Sequence, residues 1–309
     1  MKIVKMILST ILILIIVLVA SYYAFPEKVA GLMLKAAASQ AGLTKKEIKI
    51  DDHNIAYLEG GKGTTILLLH GFTLNKYHWL DVAGYLTKDY HVVIPDIPGY
   101  GESSKIETDS YDLSSQIQRL HKFVQTLQLN KFHILGHSLG GLIAGTYAAR
   151  YPDEIISVGL FNAVGIKSPE ISVVYKIIAK GESPVAIKDS NDLQRMTELF
   201  CVNPPALPYP VKMVTLKSYI SNRQFYEKEL KEIYPDFWSL EKELPNIKVP
   251  TLILWGDKDQ VVDVSSVPIL EKGLQNHKTV IIKECGHMPI MEKSQETAKQ
   301  YLDFVKGIK

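Results

Sequence analysis

Cysteine is scarce: only Cys201 and Cys285 occur in 309 residues. Two thiols cannot build a disulfide scaffold, and they lack the C-x-x-C spacing of zinc or thiol-redox sites. Charge of one sign is not in excess either. The 35 Lys and Arg against 33 Asp and Glu leave +2, which gives no basic surface for a phosphate backbone, so no nucleic-acid partner is expected. No internal period of the solenoid or propeller kind is found. Neither an H-E-x-x-H helix nor an aspartate-rich loop is present, so no metal and no organic cofactor is expected. What the chain does have is 46% hydrophobic and 22% charged residues. That mixture excludes disorder and fits one large domain or two modest ones.

The apolar residues are unevenly spread, because Met6 to Phe25 carries no charge. Twenty helical residues span roughly 30 Å, the thickness of a bilayer core. Lys2 and Lys5 precede the run, Tyr22, Tyr23 and Phe25 stand at its far end like an interfacial belt, and Pro26-Glu27-Lys28 closes it. A cleaved secretory signal is the competing reading, with a secreted or periplasmic product. Its small-x-small exit is missing from Val19 to Ala24, so residues 1–26 are expected to be a single-pass membrane anchor. Lys2 and Lys5 face Lys28, Lys35, Lys45 and Lys46 across it, which leaves the side of the membrane open. Residues 27–45 are expected to form a connecting helix. Val29, Leu32, Met33, Ala36 and Ala37 would either lie on the bilayer or pack on the domain.

From 46 to 309 strands alternate with helices, the pattern of an α/β fold with a mostly parallel central sheet and helices on both faces. Strands are expected at 47–51, 55–59, 64–69, 91–95, 132–135, 155–161, 249–255 and 279–282. Helices are expected at 79–86, 111–128, 142–151, 267–274 and 292–305. Between about 165 and 245 the rhythm changes to helices at 173–179, 193–200 and 211–228, broken by Pro204-Pro205-Ala206-Leu207-Pro208-Tyr209-Pro210. Such an insertion is expected to be a helical cap.

Phe132-His133-Ile134-Leu135-Gly136-His137-Ser138-Leu139-Gly140-Gly141 sets G-x-S-x-G between a strand and a helix. A tight turn there lifts Ser138 out at a helix amino end, where dipole and free N–H groups favour negative charge. Ser138 is the candidate nucleophile. Its base must come late in the chain, where His277 and His287 are available. His277 lies in a polar helix-to-strand turn, whereas His287 follows the last strand in Cys285-Gly286-His287-Met288-Pro289, which makes it the candidate base. Trp255-Gly256-Asp257-Lys258-Asp259 offers two carboxylates, with Asp263 further on. Position favours Asp259 for holding the imidazole, with Asp257 as a turn residue capping its own backbone. An oxyanion needs two backbone N–H donors. Leu139 follows the nucleophile, and Phe72 stands in Leu69-His70-Gly71-Phe72-Thr73. His70 reads as structural, and Asp96 to Ser103 as scaffold.

Together H-G-F, D-x-P-G-x-G-x-S, G-H-S-L-G-G, W-G-D-K-D and G-H-M-P resemble the α/β-hydrolase superfamily over about 260 residues. With the apolar amino terminus and the proline-rich cap stretch, they are similar to membrane-anchored monoacylglycerol lipases of the abhydrolase type and to related cold-active bacterial lipases. The resemblance implies the α/β-hydrolase fold, with Ser138 as nucleophile, Asp259 as acid, His287 as base, and Phe72 and Leu139 as oxyanion donors. It implies a cofactor-free ester hydrolase working through an acyl-enzyme. A lipid ester, most simply a monoacylglycerol, is the expected small-molecule substrate, with Val173, Val174, Ile177, Ile178, Leu199, Phe200, Leu207 and Val214 as candidate lining. Two alternatives stand beside it. One is a serine-dependent carbon–carbon bond hydrolase or perhydrolase, and the other a non-catalytic binding protein on the same scaffold.

Overall fold

Short apolar runs without polar alternation become the middle of one eight-stranded sheet in the computed structural model, which describes residues 2–184 and 186–308. Two helices precede the sheet, α1 (Lys2–Ala24) and α2 (Pro26–Gln40). Then come β1 (Leu43–Ile50), β2 (His53–Gly60), β3 (Thr65–Leu69), α3 (Leu80–Leu86), β4 (His91–Pro95), α4 (Leu113–Thr126), β5 (Phe132–His137), α5 (Leu139–Arg150) and β6 (Ile155–Phe161). The insertion holds α6 (Val173–Ala179), α7 (Ser190–Phe200), α8 (Tyr209–Ser221), α9 (Arg223–Ile233) and α10 (Leu240–Glu243). The chain closes with β7 (Thr251–Gly256), α11 (Val267–Gly273), β8 (His277–Ile282), α12 (Pro289–Glu292) and α13 (Ser294–Lys306).

Strand order is β1-β2-β4-β3-β5-β6-β7-β8. The first two neighbours pair antiparallel and the rest parallel. Because side chains alternate across a strand, each central strand feeds two cores. Leu67, Leu69, Ile134 and Leu160 join the core under α4 and α5. Ile66, Leu68, Leu135 and Phe161 join the one under α3 and α13. The register aligns the carboxyl ends: Leu69 with Gly136, His137 with Phe161, Phe161 with Leu254, and Gly256 with Ile282. Whatever follows β3, β5, β6, β7 and β8 therefore gathers on one rim.

Several expectations shift. The helix expected over 27–45 runs Pro26–Gln40, because Leu43 to Lys46 already pair with β2 in an unbroken antiparallel register. Polarity along Thr44-Lys45-Lys46-Glu47 hides an edge strand that is exposed on both faces over this stretch. The single helix expected over 211–228 is two, since Asn222 leaves helical geometry and its side-chain amide donates to the Ser218 carbonyl at 2.8 Å, capping α8. On α2 the buried stripe runs through Ala30 and Ala38, toward β1, α3 and α8, while Leu32 is 69% exposed. The helix packs on the domain and keeps an apolar outer edge. Helix α1 buries no residue, and Ile, Leu and Val lie exposed along it.

Candidate active site

Ser138 occupies the sharp turn between β5 and α5 at φ 55° and ψ −117°, a left-handed conformation costly for a side-chain-bearing residue. Two close approaches make that turn possible. A Cβ on Gly136 would meet the Gly140 carbonyl at 1.9 Å, and one on Gly140 would meet the Leu69 carbonyl at 2.3 Å. The turn is pinned from both sides: the Ser138 N–H donates to the Phe161 carbonyl at 2.9 Å, and the Ser138 carbonyl accepts from Gly141 at 2.9 Å. The strain is held by backbone geometry that glycine alone allows.

His287 lies in the loop after β8, 2% exposed, with its N–H donating to the Phe200 carbonyl at 2.7 Å. Its Nδ1 and Asp259 Oδ2 are 2.8 Å apart. A carboxylate only accepts, so Nδ1 carries the proton and Nε2 keeps its lone pair. Asp259 is itself fully engaged: Oδ1 accepts from the Val261 and Val262 N–H groups at 2.8 and 3.0 Å, and Oδ2 also accepts from Asn162 Nδ2 at 2.7 Å. Four donors around one buried carboxylate hold it in a single orientation. Ser138 and His287 line the same cavity. Among the described residues no hydrogen bond joins them, as is common before substrate draws such pairs together.

The alternatives fall elsewhere. Asp257 accepts from the Cys285 N–H at 3.4 Å and lies 3.6 Å from Lys283, so it caps the loop after β8 rather than its own backbone. Asp263 caps the turn at Ser265. His277 starts β8 at the opposite end of the sheet and bonds the Leu274 carbonyl. His70 is fully buried; its Nε2 accepts from the Ile97 N–H at 3.0 Å, leaving Nδ1 to donate to the Gly71 carbonyl at 2.8 Å. Burial pushes it down to about 4, which suits a neutral brace between two loops. Phe72 and Leu139 both line the Ser138 cavity. Leu139 is the first residue of α5, where the N–H has no acceptor within the helix.

Two neighbours, Asn162 and His137, were not expected from the sequence, and a third has a further role. Asn162 orients Asp259, and a polar residue directly after a buried strand at the functional rim was the available signal. His137 donates from Nε2 to the His287 carbonyl at 2.6 Å. Burial holds it well below the usual histidine range, so beside His287 it stays neutral. Phe200, expected only as lining, also anchors the His287 N–H and sets its ring 5.6 Å from the imidazole.

The cavity over Ser138 measures about 60 Å3 and is almost wholly apolar, with Val174, Ile178, Phe200, Leu230 and Val261 in its walls. Of the expected lining, Val174, Ile178 and Phe200 are there. Leu207 and Val214 line a second, separate space instead. Val173, Ile177 and Leu199 line neither, since the phase of α6 turns Val173 outward and Leu199 packs against the core.

Comparison with known proteins adds a second line of observation. A family model described as alpha/beta hydrolase fold matches residues 64–178 and 208–294, more than half of the chain. The chain is 31% identical to monoacylglycerol lipase ABHD6 of Rattus norvegicus over 97% of its own length and 93% of the relative's. It is 34% identical to lipase 1 of Psychrobacter immobilis, covering 81% of this chain and 80% of that one. The crystal structure of a membrane phospholipase A, a bacterial virulence factor, superposes with a TM-score of 0.90 at 35% identity, over 98% of this chain and 99% of the other.

Proposed function

We propose that this chain, which belongs to the α/β-hydrolase fold family and is a carboxylic ester hydrolase, cleaves lipid esters of the monoacylglycerol kind through an acyl-enzyme on Ser138. The observation that carries the mechanism is the 2.8 Å contact between His287 Nδ1 and a four-donor Asp259, with His287 and Ser138 in one cavity wall. His287 Nε2 takes the Ser138 proton while Oγ attacks the ester carbonyl. The carbonyl electrons move onto oxygen, which accepts from the Phe72 and Leu139 N–H groups. The tetrahedral adduct then expels the alcohol, protonated by His287, and leaves the acyl group on Ser138. Water, deprotonated by the same nitrogen, repeats the attack and releases the acid. Asp259 stabilises the imidazolium at each stage without taking a proton. One oxyanion donor accounts for about 3 kcal/mol of barrier.

The apolar lining of the Ser138 cavity suits an acyl chain. Helix α1, apolar and exposed along its 23 residues, supports a membrane anchor that keeps the cap at the bilayer where such esters reside. A second reading, phospholipid acyl esters as substrate, is favoured by the likeness to the membrane phospholipase A. Labelling by a fluorophosphonate tests the mechanism: it should be abolished by Ser138→Ala together with a loss of about 10⁶ in kcat. Persistent labelling of that variant would move the nucleophile elsewhere. Rates on a soluble short ester, a monoacylglycerol and a lysophospholipid then rank the substrates.

A further inference from the structure

Beyond the Ser138 cavity the described residues enclose a larger space of about 320 Å3. Leu34 of α2 and Val211 and Thr215 of α8 line one side of it, and Lys76, Asp96 and Glu102 the other. Thr73 lines both spaces. Its Oγ1 lies 2.9 Å from the Tyr219 hydroxyl of α8, so a single hydrogen bond ties the wall between them to the cap.

The place of this space relative to the apolar helices is informative. The backbone N–H of Tyr209, the first residue of α8, donates to the Tyr22 hydroxyl at 3.1 Å, and its ring lies 5.0 Å from that of Tyr23. The end of α1 therefore meets the start of α8. Leu34 lies about 12 Å along α2 from Pro26 at 1.5 Å per residue. The two helices that wall the space thus both begin where the exposed apolar helix ends.

Its polar corner has a definite chemistry. Lys76 is fully buried, with Nζ donating to Asp96 Oδ2 at 2.6 Å and to Glu102 Oε2 at 2.5 Å. Glu102 is met from the other side by Lys45 at 3.1 Å. The cation is thus already matched by carboxylates, and a phosphate would meet acceptors of its own sign. The ammonium is wholly enclosed and also lies over the Tyr77 ring at 4.5 Å, so the group left for a ligand is the half-exposed Glu102 carboxylate, to which hydroxyl groups can donate.

We propose that this space is a bilayer-side site for the uncharged, hydroxyl-bearing end of a lipid ester, from which the ester reaches Ser138 past the Thr73–Tyr219 bond. The assignment rests on the lipid-ester reading above. The site would favour a glycerol head group over a phosphate-bearing one, while the apolar cavity receives the acyl chain.

The test uses the full chain in phosphatidylcholine vesicles, with monooleoylglycerol in the bilayer or p-nitrophenyl butyrate in the water. Val211→Trp and Thr215→Trp fill the space from α8, and in each the ratio of lipid to soluble-ester turnover should fall about tenfold. An unchanged ratio in both overturns the proposal. Should neither variant fold, judged by fluorophosphonate labelling, Tyr219→Phe decides, because it frees Thr73 without adding bulk. Its ratio should rise, and an unchanged or lower one overturns the route. Oleoyl lysophosphatidylcholine hydrolysed by the wild type as fast as monooleoylglycerol overturns the head-group assignment. A wild type active on butyrate alone removes the lipid reading and this site with it, and one that neither turns over nor labels removes the serine mechanism.

Discussion

The rim of the sheet and the cap above it meet over Ser138, and they are held by different forces. On the rim directional bonds hold the carboxylate and the imidazole: Asp259 takes four donors, and the backbone of His287 is bonded to both His137 and Phe200. On the cap the contacts over the cavity are mainly aromatic. Tyr226 of α9 stacks on Tyr100 at 6.0 Å and meets Phe72 at 6.3 Å, with Thr73 to Tyr219 as a polar link beside them. The polar ties of the cap lie at its margins, as where Glu232 accepts from the Tyr111 N–H at 2.7 Å and Lys228 donates to the Asp109 carbonyl at 2.5 Å. Glu229 lies 1% exposed in that aromatic interface, and among the described residues neither of its carboxyl oxygens has a hydrogen-bond partner. Directional bonds fix where charge develops, whereas apolar contacts exclude water and tolerate changes of shape. On the proposed mechanism, chemistry belongs to the first region and substrate choice to the second.

The contrast is sharpest at the carboxylates. Asp259→Asn keeps the shape but no longer fixes the Nδ1–H tautomer, and kcat should drop about 10⁴ with a folded protein. Steady-state kinetics on a soluble ester check this, and a small drop would pass the role to Asp257. Asn162→Ala removes one donor of the four, so kcat should fall about tenfold to a hundredfold while KM stays near its original value. A change in KM alone would place Asn162 on the substrate instead.

For Glu229 the prediction concerns stability and its sign. Burial raises this carboxyl from its ordinary 4.5 to about 9. Between those values the unfolded chain has released the proton and the folded chain retains it, so stability is full below about pH 4.5 and declines as pH rises toward 9. The slope is at most about 1.4 kcal/mol per pH unit. Urea midpoints across that window should fall with pH in the wild type and flatten in Glu229→Gln. Equal slopes would mean that the cap interface is wetter than its apolar walls imply. The smallest effect belongs to the tie between α1 and α8: Tyr23→Ala should lower the thermal midpoint by the equivalent of about 1 kcal/mol. It should leave kcat on a soluble ester unaltered, and a change there would couple that contact to the rim.

Much of the rim was legible because its signals are local and steric. Gly136, Ser138 and Gly140 announce a turn that other residues cannot make, and continuous apolar runs announce strands covered on both faces. Polar strand β1 is displaced from its expected place because both its faces are exposed over 44–47 and leave no apolar alternation, and α8 and α9 read as one helix because Asn222 breaks it without interrupting the apolar spacing. Asn162 and His137 were passed over since their partners lie 97 and 150 residues away along the chain.

The amino-acid order alone determined that strands and helices alternate, that a strained serine turn stands at a helix amino end, and that an uncharged helix long enough for a bilayer precedes them; each follows from a few neighbouring residues. Only the packed structure decided between Asp257 and Asp259 as neighbour to His287. It alone turned Val174 toward Ser138 and Val173 outward, and opened a space between α2 and α8. Those outcomes depend on where distant segments come to rest against one another, which is set by the register of the sheet and the burial of whole faces.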